Sequence, residues 1–390
     1  MNTLRQLKRF CGYLAGFVFF ISGILKLMDP VGAGLVMKEY YRFLHLDFLT
    51  FSSKIMGTVF AFAEVVLGAG LITGVWRRFI ATCAIAMQGF FTLLTLALFI
   101  FNPEMDCGCF GEAIHLTHGE TLIKNFILMG LLAAYVIPYR HLGTNRGRKY
   151  VSFALVILSA AGFTAYSWAR IPLVDFTDFK PGAMLLTSAG VDTGDMYESV
   201  FTYEKDGTQA EFTLDNLPDS SWTFVNIQTR LKNENVEMPV PLSFYESSTG
   251  EYMDILAAEG QVMVVSIYDT KISDKKWESI RRFASRSSEA GFTTLILAAS
   301  ADDIPEDLKR NAYISDYKTL ITLNRSNGGA TYFCNGELIR KWAASDLPDL
   351  EDLLTIHNSD KTEIEMEQNN KGSLGFQGFL LYVFAVMLLL

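Results

Sequence analysis

The sequence predicts a membrane α-helical bundle of five or six transmembrane helices followed by an exported α/β domain. Three observations predict it. Half of the 390 residues are apolar, and they gather into long runs. The charge balance changes sign along the chain, with 14 basic and 8 acidic side chains in residues 1–169 against 19 and 34 in residues 170–390. Beyond residue 240, short continuous apolar runs alternate with a helical periodicity, the pattern of buried parallel strands joined by helices.

Apolar stretches at 10–28, 55–75, 79–101, 121–138 and 150–168 each approach the ~20 residues that cross a hydrocarbon core about 30 Å thick. A sixth run, 374–390, reads either as a sixth span or as the start of one. Arg5, Lys8 and Arg9 ahead of the first run resemble a leader, but no small-x-small cleavage pattern follows it, so a retained anchor is expected. The basic residues of the short loops are Arg5, Lys8 and Arg9, then Arg77 and Arg78, then Arg140, Arg146, Arg148 and Lys149. The positive-inside rule places these segments in the cytoplasm, as in a bacterial inner membrane protein with a cytoplasmic N-terminus. The loop 102–120 carries no Lys or Arg and belongs on the exported side, as does the segment 170–373. An exported part this acidic argues against a nucleic-acid partner, because phosphate binding needs clustered cations.

Within the bundle, Gly12 to Gly16 and Gly70 to Gly74 are small-xxx-small patterns that let helices approach closely. Glu64 stands in the middle of the second span, where an ionisable group is costly and faces a partner or a polar cavity. Lys26, near the exported end of the first span, is a candidate partner.

The exported loop carries Asp106-Cys107-Gly108-Cys109-Phe110-Gly111, with two of the chain's five cysteines one residue apart. Three readings are open. A glycine between the cysteines allows the backbone to turn and the sulfurs to meet in an easily reduced disulfide, with Asp106 as a pKa-tuning or proton-relay group. His115 and His118 extend the pair to Cys-x-Cys-x5-His-x2-His, four ligands for zinc or copper. The third reading is an inert turn.

Five regions are expected: the bundle at 1–169, a β-rich connector at 170–239, an α/β domain at 240–358, an acidic linker at 359–373 and the last apolar run at 374–390. The connector offers short strands at 201–203, 210–214 and 222–227. In the domain, 262–268 and 292–298 are buried strands around a helix at 274–290. A short helix follows near 303–312, then a hairpin turning at Asn335-Gly336 and a last helix near 345–356. The order β-α-β-α-β-β-α is that of a thioredoxin-like domain.

Taken together, Ser22 to Pro30, Glu64 to Gly68, Asp106 to Gly111 and Lys124-Asn125 make the bundle resemble the methylamine-utilisation protein MauE and the related DoxX-like membrane proteins. The fused domain is similar to the degenerate thioredoxin-like domains of DoxX-family proteins in Bacteroidetes. The resemblance implies a membrane helper in envelope thiol-disulfide chemistry, since MauE-type proteins are associated with maturation of a disulfide-rich periplasmic dehydrogenase subunit in methylamine metabolism. The domain departs from thioredoxin where chemistry is done: 269–277 has no Cys-x-x-Cys, and 326–329 has no proline. Cys334, inside a strand, reads as a small apolar residue.

Two functions are therefore expected. In the first, Cys107 and Cys109, with Asp106 and Glu64, pass electrons between an exported partner bearing thiols or a disulfide and a membrane carrier such as quinone. In the second, the bundle is a lipid-embedded scaffold presenting a redox-inactive binding module to an exported partner.

Overall fold

A computed structural model describes residues 2–103, 105–137, 147–186, 197–205, 208–213, 218, 222–231, 239–302 and 304–389. Among the described residues, six helices are long and apolar enough to cross a membrane. They are α1 (Asn2–Met28), α3 (Ser53–Thr73), α4 (Arg77–Phe101), α5 (His118–Val136), α6 (Gly147–Ala169) and α11 (Lys361–Leu389). Phe20 and Ile24 of α1, Val65 and Ala69 of α3, Phe163 of α6 and Val383 and Met387 of α11 share one core. The last apolar run thus packs against the outside of the bundle through one stripe, with Phe379 stacked on Phe163 at 4.5 Å.

Of the two small-residue patterns, Gly12 and Gly16 pack α1 closely against Tyr135 and Gly68, whereas Gly70 meets the Ile80 side chain and Gly74 (φ 74°) ends α3 as its cap. A Cβ on Gly68 would stand 2.7 Å from the Gly16 carbonyl oxygen, so α1 and α3 touch backbone to backbone. Basic groups gather at one end of the bundle, where Lys8 donates to the Ile137 carbonyl and Lys149 to the Met387 carbonyl. The cysteine loop lies at the other end, between α4 and α5.

Residues 361–373, expected as a linker, are helical and continue without a break into the last apolar run. At 1.5 Å per residue α11 is about 44 Å long. Its first half lies on the α/β domain because Ile364 is apolar enough to join that domain's core, and Gln368 accepts from the Lys341 backbone N–H at 3.1 Å. One helix therefore ties the two halves of the molecule together.

A further helix, α2 (Pro30–Phe43), lies between α1 and α3 where no element was expected. Its start is well specified: Asp29 caps it, accepting from the Gly32 N–H at 2.9 Å, and Pro30 occupies the first turn.

In the C-terminal part, β8 (Gln261–Ile267), α7 (Asp274–Glu289) and β9 (Thr293–Ala298) form the expected parallel unit. The chain then adds α8 (Glu306–Lys309), β10 (Ala312–Ser315) and α9 (Tyr317–Leu323), of which the sequence announced only the first. β11 (Gly329–Cys334) and β12 (Glu337–Trp342) are the hairpin, turning at Asn335 (φ 51°) and Gly336 (φ 80°), and α10 (Leu350–Asn358) follows. With β7 (Phe244–Tyr245) at the edge, the six-stranded sheet runs β12-β11-β8-β9-β10-β7. Period-two alternation sends Met263, Val265 and Ile267 to the face covered by Trp277, Ile280 and Phe283, and Val262 and Val264 to the other, with Leu320 and Leu323.

The connector is two things rather than one. Residues 197–231 include a separate antiparallel sheet of β3 (Tyr197–Lys205), β4 (Thr208–Thr213) and β5 (Thr223–Leu231). Residues 182–185 instead join the α/β domain, because the free edge of β12 offers unpaired backbone groups: the Gly182 N–H donates to the Leu338 carbonyl at 2.7 Å and the Leu338 N–H to Ala183 at 2.9 Å.

Candidate functional site

Gly108 fixes the shape of the cysteine loop. Its φ of +59° belongs to the left-handed region, and a Cβ there would meet the Val36 Cγ1 of α2 at 2.3 Å. Two hydroxyls pin the carbonyls on either side: Tyr40 donates to Cys107 at 2.6 Å, and Ser22 lies 2.6 Å from the carbonyl oxygen of Cys109. Cys107 is buried and Cys109 half-buried, and all five cysteines are free thiols.

Burial pushes the Cys107 thiol above its ordinary 9.0, with nearby Cys109 and Asp106 acting in the same direction. The fully buried Thr121 hydroxyl leans on that thiol without forming a well-shaped hydrogen bond, and it pulls the pKa down by less than burial raises it. Burial also raises the Tyr40 phenol well above its ordinary value, with Cys109 and Cys107 adding to it, so the group stays a donor at neutral pH.

The loop closes one end of a cavity of about 90 Å³ among α1, α2, α3, α4 and α5. The anticipated ion pair lines it: Lys26 Nζ and Glu64 Oε1 are 2.6 Å apart, and Glu64 is only 3% exposed. The Ser22 hydroxyl lies 2.7 Å from Glu64 Oε2 as well as 2.6 Å from Cys109. A hydroxyl has one hydrogen, so Ser22 can donate to either the carboxylate or the loop carbonyl. Ser22 thus joins the carboxylate to the cysteine loop.

The other predicted residues part company. Asp106 points to solvent beside His115, 3.5 Å from its Nδ1, while His118 Nε2 lies 3.0 Å from the Met105 carbonyl oxygen. Cys107, Cys109, His115 and His118 therefore do not converge, and no cluster of three His, Cys, Asp or Glu able to hold a metal occurs among the described residues. The reason is local: His118 opens α5 behind a Thr117–Glu120 capping box, which turns it away from the sulfurs.

The α/β domain reaches this end of the bundle through Arg325, which is 4% exposed. Its Nε donates to Asp29 Oδ2 at 2.9 Å and its Nη2 to Glu112 Oε1 at 2.8 Å. One guanidinium therefore grips both the cap of α2 and the strand β1 (Cys109–Glu112) that contains Cys109. A second buried pair joins Lys341 of the α/β domain to Asp175 of the segment that follows α6, at 2.6 Å. Lys38 rests 4.7 Å from the Tyr317 ring, adding a contact between α2 and α9.

Ser22, Tyr40 and Arg325 were not singled out as site residues from the sequence. Ser22 stands inside the Ser22 to Pro30 motif and was legible to that extent. Tyr40 sits on the unforeseen α2, and Arg325 is far from the loop along the chain.

Comparison with known proteins supports the bundle assignment. Residues 4–138 match the family model described as Methylamine utilisation protein MauE. Residues 197–234, which include the separate three-stranded sheet, match a domain of unknown function, DUF8463. No curated protein and no solved structure matches the chain. With its six apolar helices, the chain is a multi-pass membrane protein with a MauE-type N-terminal part.

Proposed function

We propose that this protein is a thiol-disulfide helper of the cell envelope, in which Cys107 and Cys109 exchange electrons with an exported protein bearing thiols or a disulfide. One observation carries the reading: the two cysteines close the end of an intramembrane cavity that holds a buried Lys26–Glu64 pair, connected to their loop by Ser22. Electrons and protons from the sulfurs would pass to a membrane carrier such as a quinone. The charge pattern supports an inner-membrane location with a cytoplasmic N-terminus, the cysteine loop and α/β domain being periplasmic. The strand order β9-β8-β11-β12, with β11 antiparallel to both neighbours, supports a thioredoxin-like ancestry for that domain.

Thiol trapping in intact cells tests this. A mass-adding alkylating reagent, applied before and after reduction to the wild type and to Cys107→Ser and Cys109→Ser, is expected to find a mixed reduced and oxidised population that shifts when respiration is blocked. A pair that stays in one state whatever the respiration would overturn the reading.

A second reading, a non-catalytic scaffold, is favoured by one feature. The stretch 269–273 ahead of α7 has no cysteine and is sealed by Asn327, whose Nδ2 donates to the Asp269 carbonyl at 2.8 Å. On that reading removal of 240–356 abolishes function while the double Ser variant is tolerated.

A further inference from the structure

The two sulfurs of the cysteine loop are not equivalent. Cys107 is 5% exposed, whereas Cys109 is half-buried. Burial holds Cys107 as a thiol at neutral pH, which makes it slow toward anything that comes from outside. Cys109 opens β1, the strand that Arg325 of the α/β domain grips through Glu112 at 2.8 Å. A partner held by that domain would meet Cys109 first.

What faces Cys107 comes from α5. Thr121 is fully buried, and its hydroxyl, which leans on the Cys107 thiol, has no hydrogen-bond partner among the described residues. A buried donor left unmet is costly. A thiol is a weak acceptor and a thiolate a strong one, so this hydroxyl gains its acceptor when Cys107 ionises. Lys124 follows three residues later, on the same helix face, and lines the cavity together with Cys107. Its Nζ rests 5.1 Å from the centroid of Phe110 in the cysteine loop, and it pairs with no carboxylate among the described residues. The other titratable groups around Cys107 are Asp106 and Cys109 of the loop, Tyr40 of α2, and Lys26 and Glu64 across the cavity, which are spent on each other. Burial works against a Cys107 thiolate, and the two α5 groups offset part of that cost.

We propose that Cys109 is the sulfur that exchanges with the partner and Cys107 the inner sulfur that closes or opens the pair behind it, with Thr121 and Lys124 as positioning residues for the Cys107 thiolate; this deepens the thiol-disulfide reading and rests on it. The step balances. When the pair is oxidised, a partner thiolate attacks Cys109 Sγ, the Cys107–Cys109 bond breaks, a partner–Cys109 bond forms and Cys107 leaves as a thiolate beside Thr121 and Lys124. The partner's second thiolate attacks the partner sulfur of that mixed disulfide, and Cys109 leaves in turn. The partner gives up two electrons and two protons, and both cysteines end as thiols. With a partner disulfide the same bonds are exchanged in reverse, and Cys107 attacks Cys109. A disulfide opens toward the sulfur whose thiolate is better stabilised and is attacked at the sulfur that is better exposed, so the two cysteines have opposite parts.

Glutathione disulfide, offered to the reduced full chain in lipid nanodiscs, tests the order, with adducts located by peptide mass mapping. Cys107→Ser is expected to retain one glutathione on Cys109, and Cys109→Ser to be modified at Cys107 about tenfold more slowly or less. Wild type is expected to pass through the Cys109 adduct to the Cys107–Cys109 disulfide. Thr121→Val and Lys124→Gln are expected to form the Cys109 adduct at the wild-type rate and to resolve it about tenfold more slowly, with the pH profile of resolution moved to higher pH. Thr121→Ser and Lys124→Arg are expected to restore it, which a packing role alone would not predict. Equal first adducts on the two cysteines, or a faster one on Cys107, overturn the order. Resolution at the wild-type rate and pH in both Thr121→Val and Lys124→Gln overturns the positioning roles. If the order holds in nanodiscs while the pair in cells keeps one state, the envelope reading falls and the order stands. If the pair in cells responds to respiration and Cys107 takes the first adduct, the order alone falls.

Discussion

Two loops, one in each half of the molecule, make an instructive pair. The cysteine loop of the bundle turns at Gly108, presents two sulfurs and abuts a cavity. The stretch 269–273 and the facing turn 326–329 of the α/β domain also include a positive-φ glycine, Gly328, yet present no sulfur, and Asn327 cross-links them through the Asp269 backbone. The first loop is built to be reached from a cavity and the second to be closed. Under the proposed thiol-disulfide reading the comparison implies a division of labour, with chemistry in the bundle and recognition in the domain, and Arg325 joins the two structurally.

The largest expected effect comes from breaking that coupling. Arg325→Met strands Asp29 and Glu112 without their cation, and removal of one partner from a buried charge cluster costs about 3–5 kcal/mol. The expected outcome is a domain that undocks at lower denaturant, with faster alkylation of Cys109, read by mass spectrometry. The exposed pair Arg281 with Asp307 is the control, and its loss is expected to leave the melting temperature unchanged.

Gly108→Ala comes next, at about 2 kcal/mol from the left-handed backbone, with the collision against Val36 added. Adding Val36→Ala should relieve the collision and leave the backbone part, a non-additivity that a double-mutant cycle measures in urea. Additive costs would mean that the loop does not rest on α2.

Asn327→Ala, which removes the hydrogen bonds closing the second loop, is expected to cost about 1 kcal/mol and to leave the trapping pattern of Cys107 and Cys109 unchanged. A changed pattern would break the division of labour.

The smallest effect is one of pH. Burial raises the Cys107 thiol above 9.0, so its alkylation in the folded protein should lag a free thiol at pH 7 and climb as pH rises beyond 9. The sign for stability follows: a thiol whose folded pKa is raised contributes fully below the unfolded value, and the contribution is lost as pH rises past about 9 through the folded pKa. Alkylation rates followed by mass from pH 7 to 10 check it.

Much of the fold was legible along the chain because its signals are local. Hydropathy marks the six apolar helices, and apolar runs mark β8 and β9. α2 escaped because 14 residues with three charged side chains near the end fall short of a span, although Asp29-Pro30 announces a helix start. β10 and α9 are too short for periodicity to declare them. Residues 361–373 read as a linker since their charge is evident in the sequence and the single buried Ile364 is not.

The sequence by itself determined which loop holds the sulfurs, which end of the bundle is basic, that Glu64 lies at membrane depth, and that the α/β domain lacks the Cys-x-x-Cys of thioredoxin. Only the tertiary structure decided that Lys26 meets Glu64, that Ser22 links that pair to Cys109, that Thr121 and Lys124 face Cys107, and that the four soft-metal candidates stay apart. Hydropathy and periodicity are properties of neighbours along the chain. A contact such as Arg325 with Asp29, 296 residues apart, exists only because helix packing brings the two chain segments together in a dry interface, where one unpaired charge would be costly enough to select its partner.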